Sequence, residues 1–214
     1  MRKMTNRNYY EKNNGYGYVV NVLKAEIGED NTRFIIDSAV LRCNRLCGEY
    51  DNLPDKVKLH THRMIFPRAA LYIEMLEFIP CERAVELIER AVEIGVEPDA
   101  KRLNRLTKIK LFRPLFLRIF RLMLSSAFDD RSGFEKHEIE VNGKRLRINV
   151  LKCPYCKYCE LLGCGELTKT FCLSDDCIYS KLTGIEYRRE GTLGRGFDRC
   201  DFDFAIRNED INAR

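Results

Sequence analysis

The chain has 214 residues, of which 45% are hydrophobic and 32% charged, enough to bury a core without disulfide staples. Its formal net charge is +5, from 37 basic against 32 acidic residues, too even a balance for the basic stripe of a nucleic-acid-binding protein. No run of about 18 apolar residues occurs, so no membrane-spanning helix is expected.

The opening stretch, MRKMTNRNYYEKNNGYGY, has early basic residues but no apolar segment behind them. It is not a secretory signal, and a cytoplasmic location is expected. Thiols stay reduced there, so ten cysteines are not read as five disulfides. Residues 1–16 are rich in Asn, Tyr and Gly and are expected to be flexible and dispensable. A helical region is expected over 17–130. From Asn31 to Leu46, Phe34, Ile35, Ala39, Leu41 and Leu46 recur at helical spacing. A second helix over 57–78 carries Pro67 and should kink or restart there. The stretch from Cys81 reads as an amphipathic helix with Gly95 near its C-terminus. The apolar, arginine-interleaved stretch 108–128 contains Pro114, which suits the start of its final helix. A membrane-surface role for it is weighed against a core helix with snorkelling arginines, and the core helix is favoured.

The pattern changes after residue 130. In HEIEVNGKRLRINVLK, Asn142-Gly143 predicts a two-residue type I′ hairpin, with Ile139/Val141 and Leu146/Ile148/Val150 alternating on either side. In RCDFDFAI, Cys200, Phe202, Phe204 and Ile206 should face one way and Asp201 and Asp203 the other. The fold class predicted is α+β: a helical N-terminal half packed on a C-terminal four-stranded antiparallel sheet of β-β-α-α-β-β order. Residues 131–207 form a cysteine-rich α+β region, expected to make one compact unit with 17–130, and 208–214 a tail.

Six of the ten cysteines lie between Lys152 and Cys177. Cys153-Pro154-Tyr155-Cys156 has the spelling of a glutaredoxin site, at a helix start where a thiol pKa would fall. A thioredoxin-like fold needs more βαβ structure and a second proline-bearing strand, and no proline follows Pro154. The Cys153, Cys156, Cys159 run resembles the start of an iron–sulfur ladder, but Cys164 falls out of step. Zinc would want two separated Cys-x2-Cys knuckles. Buried small hydrophobes are the favoured role for Cys156, Cys159, Cys164 and Cys177. No cofactor is expected, with zinc or an iron–sulfur cluster as the minority alternatives. His60 and His62 diverge on a helix, which suits solvent or a helix start better than a metal. GTLGRG (191–196) lacks the Gly-Lys-Ser/Thr ending of a phosphate loop and reads as a turn between strands.

The C-terminal third resembles the L-2-amino-thiazoline-4-carboxylic acid hydrolase family. The resemblance rests on Cys153–Tyr155 after a strand, Leu162–Leu167, Phe171-Cys172 leading to Ser174-Asp175-Asp176, then Gly191–Gly196 and Cys200-Asp201-Phe202 with Phe204. HRMIFPRAALYIEMLE (62–77) agrees with the family's helical segment. Cys156, Cys159 and Thr168–Thr170 depart from the common pattern. The resemblance implies hydrolytic opening of 2-amino-thiazoline-4-carboxylate, a cyclic amidine-like thioether, to a carbamoyl-cysteine.

That chemistry requires an acid, because the carbon attacked is a poor electrophile until a ring nitrogen is protonated, and a nucleophile, either a thiolate or an activated water. Cys172, Asp175, Asp176, Cys200 and Asp201 are the residue types required. Cys172 is taken as nucleophile or ligand and Asp176 as acid/base or amidinium holder. Arg195 would grip the substrate carboxylate, with Thr192 and Cys153 as further substrate contacts. Against these stand plainer roles. Cys200 shares a strand face with Phe202 and Phe204 and suits the core. Asp201 and Asp203 suit a salt-bridged face opposite Arg145 and Arg147, and Asp175 and Asp176 a helix cap. The alternative function is a cysteine-rich small-molecule or metal-binding sensor without catalysis. The expected partner is a small-molecule substrate, with no nucleic acid and no integral membrane association; homo-oligomerisation is left open.

Overall fold

The computed structural model describes residues 7–12 and 14–207, so the expected tail at 208–214 lies outside the described residues. Helices α1 (Arg7–Lys12), α2 (Asn14–Ile27) and α3 (Glu29–Glu49) lead to α4 (Asp55–His60), a π-helical turn (Thr61–Ile65) and α5 (Phe66–Met75). Helices α6 (Cys81–Thr107) and α7 (Phe112–Ala127) complete the helical half. Strands β1 (Glu135–Val141) and β2 (Arg145–Lys152) precede α8 (Pro154–Leu161), α9 (Thr168–Tyr179), β3 (Ile185–Arg188) and β4 (Cys200–Ile206). The four strands form one antiparallel sheet in the order β1-β2-β4-β3.

Contacts gather into two compact units. One joins the described residues up to Val96 with Pro154–Ser174, and the other joins Glu97–Cys153 with the described residues from Asp175 onward. The sequence reading joins 17–130 and 131–207 in one compact unit. The contacts instead place α8 and the start of α9 with the helices, because Tyr158, Cys159, Cys164 and Leu167 are buried in the helical core.

In the first unit, α3 buries Thr32, Ile35, Ile36, Ala39, Cys43 and Leu46 at helical spacing. Phe34 and Leu41, expected on that stripe, are 59% and 70% exposed, since Ile36 and Cys43 take the inner positions. Pro67 has no N–H to offer the carbonyl of Arg63. The expected interruption takes the form of the π turn, and the Tyr9 hydroxyl donates to that carbonyl at 2.7 Å. The Tyr10 hydroxyl donates to the carbonyl of Pro67 at 3.0 Å, and its ring is fully buried. Part of the stretch expected to be flexible is therefore docked, because two phenols reach backbone carbonyls, one of which Pro67 leaves without a helical donor. Helix α6 continues past Gly95 and through Pro98, with Ala100 and Thr107 fully buried beyond them. Tertiary packing overrides the local stop signals there.

In the second unit, Leu146, Ile148 and Val150 point into the core as the alternation predicts. Leu146 pairs with Phe204, Ile148 with Phe202 and Val150 with Cys200. Phe116, Leu117, Phe120 and Leu124 of α7 pack with these strands, Leu182 and Ile185. Ile139 and Val141 do not mirror them. Both are exposed on the edge strand β1, which carries two register irregularities, and each slip changes the face a side chain presents. Gly184 has φ +73°, and a Cβ there would meet the buried Arg113 guanidinium at 2.0 Å, so both backbone and space require glycine.

The hairpin between β1 and β2 is not the predicted type I′ turn. Val141 pairs with Leu146, the Asn142 N–H donates to the Arg145 carbonyl at 3.0 Å, and Gly143 is not among the positive-φ glycines. The Asn142 side-chain oxygen accepts from the N–H groups of Lys144 and Arg145, both at 2.8 Å. An Asn side chain thus supplies the turn that a left-handed Asn-Gly pair was expected to form.

Two measurements test these assignments. Gly143→Ala should leave stability within about 0.5 kcal/mol, since a Cβ meets nothing within 4 Å, whereas Asn142→Ala should cost about 1 kcal/mol by denaturant midpoint. A large loss in Gly143→Ala would restore the left-handed turn. Tyr10→Ala should cost about 3 kcal/mol and Tyr10→Phe about 1 kcal/mol, a ladder that a dispensable N-terminus would not show.

Candidate active site

The second unit concentrates ionisable groups around one buried guanidinium. Ile185, Tyr187 and Arg189 alternate onto one side at β3, so the residue just past the strand follows two apolar ones inward. The Arg189 side chain is only 2% exposed. Its guanidinium lies 4.9 Å from the Phe202 ring centroid and 5.9 Å from that of Tyr187. Tyr179 packs edge to face on Tyr187 and Phe204, which are tilted against each other, with centroids 5.1–5.6 Å apart. A fixed charge in such surroundings needs counter-charges.

Helix α9 supplies them. Asp175 and Asp176 stand in its third turn and not at a cap, because the helix begins at Thr168. Arg189 Nη2 donates to Asp176 Oδ1 at 2.6 Å, and Nη1 to Asp175 Oδ2 at 3.2 Å. Asp176 accepts two further bonds, from the Tyr187 hydroxyl at 3.0 Å and from Arg195 Nη2 at 3.0 Å. The two carboxylates are thus unequal. Three donors stabilise Asp176 as an anion, whereas Asp175 has one long contact with a guanidinium it shares.

Dehydration pushes the Asp175 carboxyl up to about 6, against the pull of Arg189 and with the Asp176 charge adding to the rise. Its side chain keeps 38% of its surface accessible, so water still screens it and about 6 marks the upper end of the shift. Burial also raises the Tyr187 hydroxyl, which therefore acts as a donor to Asp176. Burial alone would lower Arg189, but Tyr187 and the two aspartates more than offset it and hold the cation.

The segment from Glu190 to Arg199 closes around this cluster. Asp201 accepts the N–H of Gly191 at 2.8 Å and of Glu190 at 3.2 Å. It clamps backbone, where the sequence had paired it with Arg145 and Arg147. Asp203 alone takes that pairing, with Arg145 at 2.6 and 2.9 Å. Cys200 is buried and its sulfur accepts the Leu193 N–H at 3.3 Å, which holds the GTLGRG turn. The Thr192 hydroxyl is fully buried and has no hydrogen-bond partner among the described residues. Arg195, expected to face a substrate carboxylate, already spends one N–H on Asp176.

The remaining candidates fall elsewhere. Cys172 is the fifth residue of α9 and not at its end, and it belongs to the first unit. Cys153 joins β2 to α8. No disulfide joins any of the ten cysteines, and among the described residues no three His, Cys, Asp or Glu side chains are placed to share a metal ion. Cys159 and Cys164 are buried in the core, as expected, while Cys156 and Cys177 are only partly so. The Cys-Pro-Tyr-Cys helix start exists, but the chain's four-stranded sheet is wholly antiparallel, unlike a thioredoxin sheet. His60 and His62 are both buried, not solvated: His60 Nδ1 lies 3.1 Å from the Tyr155 hydroxyl and His62 Nδ1 2.9 Å from that of Thr61. Burial lowers the His62 pKa.

Arg189 and Tyr187 were missed in sequence. The signal was present in IEYRR, where period-two alternation carries Arg189 to the same side as Ile185 and Tyr187.

Fold and site together define an α+β protein built around a pair of unequal carboxylates on one helix. The L-2-amino-thiazoline-4-carboxylic acid hydrolase family model matches residues 58–204, and the chain belongs to that family. No curated protein and no solved structure matches it.

The Asp175 shift has a stability signature. A carboxyl that binds its proton more tightly folded than unfolded contributes stability at low pH and loses it as pH rises through the folded value. Relative to Asp175→Asn, the unmodified protein should lose stability from about pH 4 to about pH 6, measured as parallel denaturant midpoints. Parallel curves across that range would show an ordinary aspartate.

Proposed function

We propose that the chain hydrolyses a cyclic amidine-like thioether of the 2-amino-thiazoline-4-carboxylate class, opening the ring to a carbamoyl-cysteine. The observation that carries this reading is the unequal sharing of Arg189 by two adjacent carboxylates, which leaves Asp175 binding its proton more tightly than an ordinary aspartate. The family's name supports the same chemistry.

The carbon attacked bears the ring sulfur, the ring nitrogen and an exocyclic nitrogen. Protonated Asp175 gives its proton to the ring nitrogen, which makes that carbon electrophilic. A water then adds, and the Asp175 carboxylate accepts the proton it sheds. The tetrahedral carbon expels sulfur: the C–S bond breaks, the sulfur takes that proton from Asp175 and leaves as a thiol, and the remaining hydroxyl proton returns to Asp175, which restores the acid. The water oxygen becomes the carbonyl of the new urea. Cys172 is the alternative nucleophile; it lies three and four residues before the two aspartates, on the same side of α9. In that route the thiol adds first and water releases the enzyme-bound carbon afterwards. Asp176 stays anionic throughout, held by Arg189 and Tyr187, and steadies the amidinium charge. The N–H groups of Arg195 not used on Asp176 hold the substrate carboxylate, and the Thr192 hydroxyl completes a hydrogen bond with the substrate.

This division of labour departs from the expectation that Asp176 is the acid. Thiol release from the thiazoline, followed with a thiol reagent against a no-enzyme control, tests it. Asp175→Asn should lower kcat/KM at least about a hundredfold and abolish its fall toward high pH. Tyr187→Phe should lower activity far less and keep the pH dependence. Cys172→Ser should match Asp175→Asn only if the thiol is the nucleophile. No thiol release by the unmodified protein would refute the substrate class; full activity in Asp175→Asn would refute the acid.

A further inference from the structure

Helix α7 is apolar on two sides, and only one is used by the core. Phe116, Leu117, Phe120 and Leu124 are buried in the second unit. Leu115, Ile119 and Leu122 are 47%, 50% and 61% exposed and form a second row, roughly 150° around the helix axis from the first. Met123 extends this row at 39% exposure, and the preceding turn adds Ile109 at 56% and Leu111 at 90%. Soluble proteins seldom leave so many large apolar side chains adjacent and open to water without using them.

The charge beside this row is largely basic, although Glu138 of β1 pairs with Arg121 at 2.8 and 3.0 Å. Between Ala100 and Phe128 the chain has eight basic residues and no acidic one. Arg102, Arg105, Lys108 and Arg118 are exposed, and no carboxylate of the described residues pairs with them. Lys108 and Lys110 alternate with Ile109 and Leu111, and Arg118 flanks the row on α7 itself. Arg113 is different: it is buried and donates to the Thr107 carbonyl at 2.9 Å, which pins the turn that presents Ile109 and Leu111.

We propose that this face of α7 docks on the surface of an anionic lipid bilayer. The helix would lie in the plane of the interface, its outer leucines and isoleucine among the upper acyl chains and its lysines and arginines at the lipid phosphates. No helix of the described residues is long and apolar enough to cross a membrane, so this is attachment to one leaflet. Charge complementarity selects this occupant. A second copy meeting the same face about a two-fold axis would set the basic segments against one another. A nucleic acid would satisfy the cations but leave the apolar row in water.

The test is co-sedimentation of the full-length chain with vesicles of phosphatidylcholine alone and of phosphatidylcholine mixed with phosphatidylserine. At least about tenfold more protein should pellet with the mixed vesicles, and added salt should reduce that excess. Ile119→Asp with Leu122→Asp should bring binding down to the level of phosphatidylcholine alone, with an unchanged Tm because both positions are exposed. Should the double variant lose cooperative unfolding, the milder Leu122→Gln decides in its place and should weaken binding several-fold. Equal binding to the two vesicle types, or variants that bind as well as the unmodified chain, would overturn the proposal. So would an unmodified chain that ignores both vesicles and elutes as a dimer, with the double variant a monomer.

Discussion

Burial of the Arg189 guanidinium sets most of what surrounds it. A side chain 2% exposed that cannot shed its charge must be met by anions and by aromatic faces. Tyr187 and Phe202 supply the faces from neighbouring strands, and the third turn of α9 supplies two carboxylates. One guanidinium cannot satisfy two adjacent anions equally. The carboxylate that also gains Tyr187 and Arg195 stays ionised, and the other is left with a raised affinity for a proton. A carboxyl with a raised proton affinity thus follows from a charge-balance problem in the fold.

The cysteine-rich segment takes on a different meaning in this setting. Its density suggested one centre, either redox or metal. The chain instead distributes the thiols among separate jobs. Cys159 and Cys164 fill the helical core, Cys200 accepts a backbone N–H that shapes a turn, and Cys172 rides on the helix that carries the aspartates. Similar spacing along a chain does not imply convergence, because α8 and α9 project successive cysteines in different directions.

Helix α7 shows the limit of treating an amphipathic pattern as a choice between two fates. Its composition fits a core helix and a membrane-surface helix alike. In the structure both faces exist at once, one packed on the sheet and one open to water. Their separation around the axis, and the absence of acidic residues between Ala100 and Phe128, distinguish this helix from one that is merely over-apolar.

Sequence alone determined what depends on local periodicity. The helical half, the four antiparallel strands and the inward set Leu146, Ile148 and Val150 follow from periods of 3.6 and 2, and the family follows from its ordered C-terminal motif. Alternation in IEYRR even marked Arg189, though a charged residue is easily assigned to the outside. Tertiary structure decided whatever depends on partners distant in the chain. Tyr9 and Tyr10 dock because carbonyls more than fifty residues away are in reach. Helix α6 passes Gly95 and Pro98 because burial beyond them outweighs the local penalty. Asp175 and Asp176 are the same residue type at adjacent positions, so no pattern in the chain could rank them as proton donors. Only the count of donors that the fold brings to each does so.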